Sequence, residues 1–523
     1  MKKYILQFKY KNLLHIILLA INSASIVGAS VTLALMTDEL ANKNFGGFLL
    51  WLFVEIVLYL LHMFFTYIIE VHQTQIIQLM SLYIREQYVS NITRATFSYF
   101  QSQDIGEHLS ILNNDMKIIE DSGFASFYRL LTTVFTTIFS IIALLSYDYK
   151  IVALTIILTL ILTYLPRPFA SKMENLMKNF SKANENLISE LTDYLTGYKD
   201  LYYSDRKLFL IIQIKKTIQI FISQKIQFTK KTTLIEIIMA LFSIIGQMSI
   251  LLLTGLLIAA GQISLGTISS VGQISGNIFN SLTTFNQLQV AISSVKPLFI
   301  KFEKETISEG TNFSEEINSI NLQNLHYSFG DNELFNNLNL TFEKGKKYAI
   351  IGESGSGKST LINILLGNNK YYSGIIKYND SELKNLNESS LVSKISYIDN
   401  HTHIFNDTIR NNISLWDNNI NNQTIENILE KVNLLELLPR LDEIVSPDSL
   451  SEGQKQRIGI ARALLKNRNF IIMDEATANL DRNNSNLIED FLLRNPEITY
   501  ITVTHHLNTE SSSKFNNIIQ LKK

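Results

Sequence analysis

The chain has 523 residues, 46% of them hydrophobic and 18% charged, with a net charge of −1 and no cysteine. That length exceeds a single hydrophobic core and calls for two or more domains. The balanced charge carries no footprint for nucleic acid or an acidic partner, and the missing thiols exclude disulfides and thiolate metal sites.

The apolar residues gather in the first 300 positions. "LLHIILLAINSASIVGASVTLALM", Leu13 to Met36, follows Lys2, Lys3, Lys9 and Lys11. Lysines, an apolar run and small residues invite a signal-peptide reading, but this run is of spanning length and a secretory apolar region is shorter. Five further spans are predicted at 47–70, 125–147, 151–170, 233–259 and 264–290. The first hairpin tip carries Lys43, the second Lys150, and the third, "AAGQISLG", no basic residue. The segments 71–124 and 171–232 are long, polar and basic in places. The positive-inside rule therefore predicts a multi-pass protein of the cell membrane, embedded in the lipid bilayer, with both termini and both long segments in the cytoplasm. Those segments have few helix breakers and a 3.6-residue periodicity. The spans are expected to continue as helices beyond the bilayer and to turn near "NNDMKIIED" (113–121) and "YYSDRKL" (202–208).

Polar residues inside spans mark contacts or function. Gln273, Asn277, Asn280 and Thr284 recur at steps of four, three and four and so share a helical face, as interhelical glue or as a cavity lining. Glu55 and His62 also share a face; Glu55 reads either as a charged cavity or proton-coupling group or as a carboxylate with a partner or close to the membrane interface. Gln247 belongs to the same open class.

Pro297 ends the last span, and "KFEKETISEGTNFSEE" (301–316) reads as a linker. The expected domains are thus 1–300, all-α with six spans, and 317–523, where short β-branched runs alternate with helices in an α/β pattern. "YAIIGESGSGKSTLINILLG" is a strand, a glycine-rich loop and a helix with P-loop spacing. Backbone N–H groups along Gly352, Ser354, Gly355, Ser356, Gly357 and Thr360 are suited to cradle phosphates. Lys358 reaches the β- and γ-phosphates, and the Ser359 hydroxyl ligates Mg²⁺. ATP and Mg²⁺ are the expected cofactors. In "NFIIMDEATANLD" an apolar strand delivers Asp474 to its end, where it can hold Mg²⁺ through water. Glu475 is placed to polarise an attacking water, the bland alternative being a salt-bridged loop carboxylate. "YITVTHH" is a third buried strand ending in His505 and His506, either loop residues or hydrogen-bond donors to a γ-phosphate. A second half-built anion site stands at "SLSEGQKQRIGIARALL", where Ser451, Gly453 and Gln454 open a basic helix.

P-loop, "LSEGQ", "IIMDE", "ANLD" and "TH", in that order after six spans, resemble the ATP-binding cassette (ABC) transporters, specifically exporter-type half-transporters with one membrane domain fused to one nucleotide-binding domain. The resemblance implies a six-helix membrane domain of the ABC exporter fold followed by a P-loop cassette, and a head-to-tail dimer in which Ser451 and Gly453 of one copy meet ATP held by the other. It implies Glu475 as catalytic base, His505 as switch histidine, Asp474 as the second Mg²⁺ group, Asp481 as the D-loop aspartate, and Phe329, with Tyr327 as rival, as the adenine-stacking ring. It also implies that the turns near 113–121 and 202–208 dock on the cassettes. Four departures stand out, the first being that "LDEIVSPDS" lacks the Gly-Glu-rich segment that commonly precedes the signature. Asn400 replaces the family's glutamine, one methylene shorter at a position that touches Mg²⁺ or water. Glu452 replaces a glycine in the signature. The chain stops eighteen residues after His505. Slow but real hydrolysis is expected, driving export of a peptide or amphipathic small molecule by alternating access. A homodimer is expected over a heterodimer, and the other readings are an ATP-dependent membrane sensor or regulator and an importer built on the exporter fold.

Overall fold

The computed structural model describes residues 1–164, 167–303, 310–330, 332–477, 480–504 and 512–521. By compactness the chain divides into Met1–Tyr88 with Gly106–Glu303, and Val89–Ile105 with Lys304–Lys523. The first unit is helical throughout. Its helices include Lys9–Ala41, Ile105–Leu145, Lys207–Ala259 and Thr267–Ser294, and it takes most of Phe45–Arg94. Among the described residues, Lys9–Ala41, Phe45–Arg94, Ile105–Leu145 and Lys207–Ala259 are long and apolar enough to cross a membrane, with Tyr149–Ile161 as a shorter apolar helix. Thr267–Ser294 has the length but not the apolarity, because it carries Gln273, Asn277 and Asn280. Phe45–Arg94 has 50 residues, about 75 Å at 1.5 Å per residue, against a hydrocarbon core of about 30 Å. More than half of it therefore continues beyond any bilayer it crosses. The unit's buried centre includes Leu144, Ile151, Ile250, Ile274 and Phe279.

The turn expected at 113–121 is not there. Residues Ile105–Leu145 run as one helical course with π-type turns at Ile111–Asp115 and Ile119–Ala125. The polar residues that suggested a break have partners instead: Asp115 pairs with Lys301 at 2.8 Å and Glu120 with Arg85 at 3.3 Å. Polarity there marks helix–helix contacts. The chain reverses at 95–104, around the short helix Phe97–Gln101 capped by the Thr96 side chain. The second turn lies where expected, at Ser204–Arg206 ahead of Lys207–Ala259. Within the stretch read as linker, Lys301–Glu303 finish the helix Lys296–Glu303, and Thr311 bridges to Leu386 in the second unit; 304–309 lie outside the described residues. Val89–Ile105, read as membrane domain, packs with the C-terminal unit.

That second unit holds an antiparallel sheet, Asn332–Glu343, Ser319–Phe329, Ser373–Tyr378 and Ser381–Glu382 in spatial order, and a five-stranded parallel sheet. The parallel order is Asn517–Gln520, Lys347–Ile351, Thr499–Val503, Phe470–Asp474, Ile395–Ile398. Thr499–Val503 is buried at every position, as a strand covered on both faces must be. Parallel register aligns Val503 with both Ile350 and Asp474, and Ile398 with Met473. The carboxyl ends of these four strands therefore share one edge, which is where ligands bind in open α/β sheets.

Candidate functional site

The loop after Lys347–Ile351 turns back through two left-handed glycines, Gly355 (φ 83°) and Gly357 (φ 90°), and enters the helix Lys358–Leu365. A Cβ at Gly355 meets open space, whereas one at Gly357 lies 2.8 Å from the Phe335 ring. Gly357→Ala is therefore expected to lower the thermal stability of the nucleotide-free protein by about 1–3 kcal/mol and Gly355→Ala by less, since only the former adds a clash to left-handed strain. Paired melting curves check this. Lys358 is 6% exposed, and its Nζ donates to the carbonyls of Gly352 and Glu353 at 2.9 Å each. Ser356 is 2% exposed, and its Oγ has no hydrogen-bond partner. A buried orphan hydroxyl beside a buried cation and a helix N-terminus fits a polyanion.

Asp474 ends the buried strand Phe470–Asp474 and lines one cavity with Ser359. Burial raises the Asp474 carboxyl above the usual aspartate range, the charges of Glu475 and Asp399 add to this, and Ser359 and Lys358 oppose it. Hard oxygen donors that crowd each other in this way fit Mg²⁺. Glu475 sits at φ 50°, with its amide donating to Val503 O at 3.1 Å. A left-handed non-glycine costs about 1–2 kcal/mol, and such strain concentrates at functional positions. Asn400 is half-exposed, and its amide donates to Asp399 Oδ1 at 2.7 Å. Asn400, Ser359 and Asp474 line one cavity of about 710 Å³, whose other wall is Ile92, Thr96, Phe97 and Phe100.

Phe329, at the end of the first strand, is 75% exposed. Its rival Tyr327 accepts a hydrogen bond from Asn369 Nδ2 at 2.9 Å and packs against Phe335, which leaves Phe329 the freer ring. The signature tip belongs to a different core. Ser451 caps the helix Glu452–Leu465, accepting from Gln454 N at 3.2 Å while Gln454 Oε1 accepts from Ser451 N at 3.0 Å. This reciprocal capping fixes the tip, which does not line the cavity holding Ser359 and Asp474. Glu452 forms an ion pair with Lys455 at 2.7 Å, so its extra charge has a partner on its own helix. Asp481 caps Arg482–Arg494, accepting from the amides of Asn483 and Asn484. His505 lies outside the described residues.

Two residues escaped the motif reading. Asp399 follows the strand Ile395–Ile398 as Asp474 ends its own, a parallel visible only once the register is known. Glu388 is 6% exposed, and its carboxylate accepts from Phe97 N at 2.7 Å; nothing local in sequence joins positions 291 apart. In the membrane unit, Gln273 Nε2 reaches Tyr59 Oη at 3.4 Å while Thr284 Oγ1 turns back to Asn280 O, so the polar stripe is glue at Gln273.

Two family models match: ABC transporter over residues 335–478 and ABC transporter transmembrane region over 13–282. A probable ABC transporter ATP-binding/permease protein of Haemophilus influenzae is 27% identical over 82% of this chain and 80% of its own length. The multidrug resistance-like ATP-binding protein MdlB of Buchnera aphidicola is 24% identical over 99% and 92%. The structure of a bacterial Atm1-family ABC exporter with ATP bound superposes with a TM-score of 0.80 at 18% identity, covering 98% of this chain and 93% of that one. The chain is a multi-pass membrane protein with an ATP-hydrolysing cassette, and it belongs to the ABC transporter family as an exporter-type half-transporter.

Proposed function

We propose that the chain works as a homodimer in the cell membrane, with both termini cytoplasmic, and exports a peptide or an amphipathic small molecule by alternating access. One observation carries this reading. The cavity that gathers Ser359, Asp474 and Asn400 is closed by Phe97 and its neighbours, from the segment that joins the second and third spans. A change at the phosphate end is thereby felt by chain that leads into the membrane.

Bound ATP supplies the phosphoanhydride that is cleaved, with Mg²⁺ neutralising its phosphate charge. Lys358 and the loop amides hold the β- and γ-phosphates. Ser359 and Asp474 would hold the metal, and Asn400 would contact it from the neighbouring strand end. Glu475 takes the proton of the attacking water, and His505 senses the γ-position. Phe329 stacks on the base. Ser451 and Gly453 of the second copy, with Gln454 and Asp481 at the same interface, complete the site, which explains why one chain carries two half-sites on separate cores. The composite site exists only when two cassettes meet, so nucleotide binds the closed and open states unequally, as a driven change requires. The uncharged polar group at Asn277, on the face of Gln273 but not part of its bond to Tyr59, suits amide or hydroxyl groups on the cargo.

The test is movement of a labelled amphipathic peptide or dye into inside-out vesicles. ATP-dependent accumulation that disappears with Glu475→Gln is the expected result. Uptake by right-side-out vesicles establishes import instead, and ATP turnover without movement of any tested cargo establishes a regulator.

A further inference from the structure

Asp399 has no part in the assignments above, yet the sheet places it beside the metal-binding carboxylate. The parallel ladder pairs Ile395 with Phe470 and runs to Ile398 with Met473, so the next neighbours at the carboxyl edge are Asp399 and Asp474. Both line the same cavity as Ser359 and Asn400, and Glu475 follows at once. Like charges on facing strand positions repel. Lys358 is a cation on this edge, and its Nζ is engaged by the Gly352 and Glu353 carbonyls. Asp399 Oδ1 accepts from the Asn400 amide at 2.7 Å, which needs an oxygen but not a charge. Asn400 itself reaches one methylene less far than a glutamine would.

We propose that Asp399 is a further ligand group, acting through water, for the divalent cation of the nucleotide site, and that it supplies from the adjacent strand end the reach that Asn400 lacks. The cation class is hard and oxygen-seeking, Mg²⁺ or Mn²⁺. The inference rests on the metal-dependent nucleotide site proposed above.

Asp399→Asn isolates the charge, because the amide oxygen still accepts from Asn400 N. The measurement is the affinity of full-length protein in nanodiscs for a non-hydrolysable ATP analogue, with Mn²⁺ and with EDTA. The ratio of the two affinities is the metal dependence. In Asp399→Asn this ratio is expected to fall about tenfold, the lower end of the loss seen when an outer metal partner is removed, while metal-free affinity is unchanged or tighter because a repelling charge is gone. A ratio within about twofold of the parent protein overturns the inference. So does an equal loss with and without metal, which indicates misfolding; Asp399→Glu, keeping the charge, is expected to restore most of the ratio. If the unsubstituted protein shows no metal dependence, the metal assignment of Ser359 and Asp474 falls first.

Discussion

Glu475→Gln is expected to cut ATP turnover in lipid by at least about a hundredfold while leaving nucleotide affinity equal or higher. A positioned general base contributes about 10²- to 10⁴-fold, and glutamine keeps the shape while removing the proton acceptor. The fold reserves this position for something other than stability. Glu475 is held at φ 50° directly after a buried strand, and its amide is tied to Val503 O. Removing its charge also relieves one of the two carboxylates that raise the Asp474 carboxyl, which favours the bound polyanion. Phosphate release and analogue binding on the same preparation check both halves. Turnover above about a tenth of the parent's rejects Glu475 as the base.

Glu388→Ala is expected to separate transport from hydrolysis. The Glu388 carboxylate is buried and accepts from the first amide of the helix Phe97–Gln101 at 2.7 Å. Burial raises its carboxyl above the ordinary glutamate range, and the Phe97 amide, then Lys370, pull it back. A hydrogen bond to a charged group contributes about 1.5–3 kcal/mol, and alanine leaves the Phe97 N–H without this acceptor. Glu388 is not among the residues proposed to hold phosphate or metal or to take the proton, so ATP turnover is expected to stay within about threefold while cargo moved per ATP drops by about tenfold, the effect of about 1.4 kcal/mol. Glu388→Gln, which keeps an oxygen at the same reach, is expected to recover part of the coupling. Equal loss of transport and turnover assigns Glu388 a purely structural role.

Much of this architecture was legible because it depends on short-range chemistry. Spans announce themselves by length and apolarity, and the P-loop by spacing between a strand and a helix. Legibility failed where a polar residue has two explanations. Asn113, Asn114, Asp115 and Glu120 read as a break, yet Lys301 and Arg85 satisfy Asp115 and Glu120 from other helices and the helix continues. The true reversal, at Thr96, has only a single capping hydroxyl as its local signal. Phe329 and Tyr327 were indistinguishable as rings until the fold packed Tyr327 against Phe335 and bonded it to Asn369.

By itself the sequence determined that this is a membrane domain joined to a phosphate-binding cassette, and which residue types hold the nucleotide. Those properties follow from local periodicity, backbone freedom at glycine and the order of motifs. Only the tertiary structure decided that Asp399 stands beside Asp474, and that residues 97–101 close the cavity behind Ser359 and rest on Glu388. Strand register and helix docking are settled by burial and pairing between segments tens to hundreds of residues apart, and no local pattern encodes which distant partner wins.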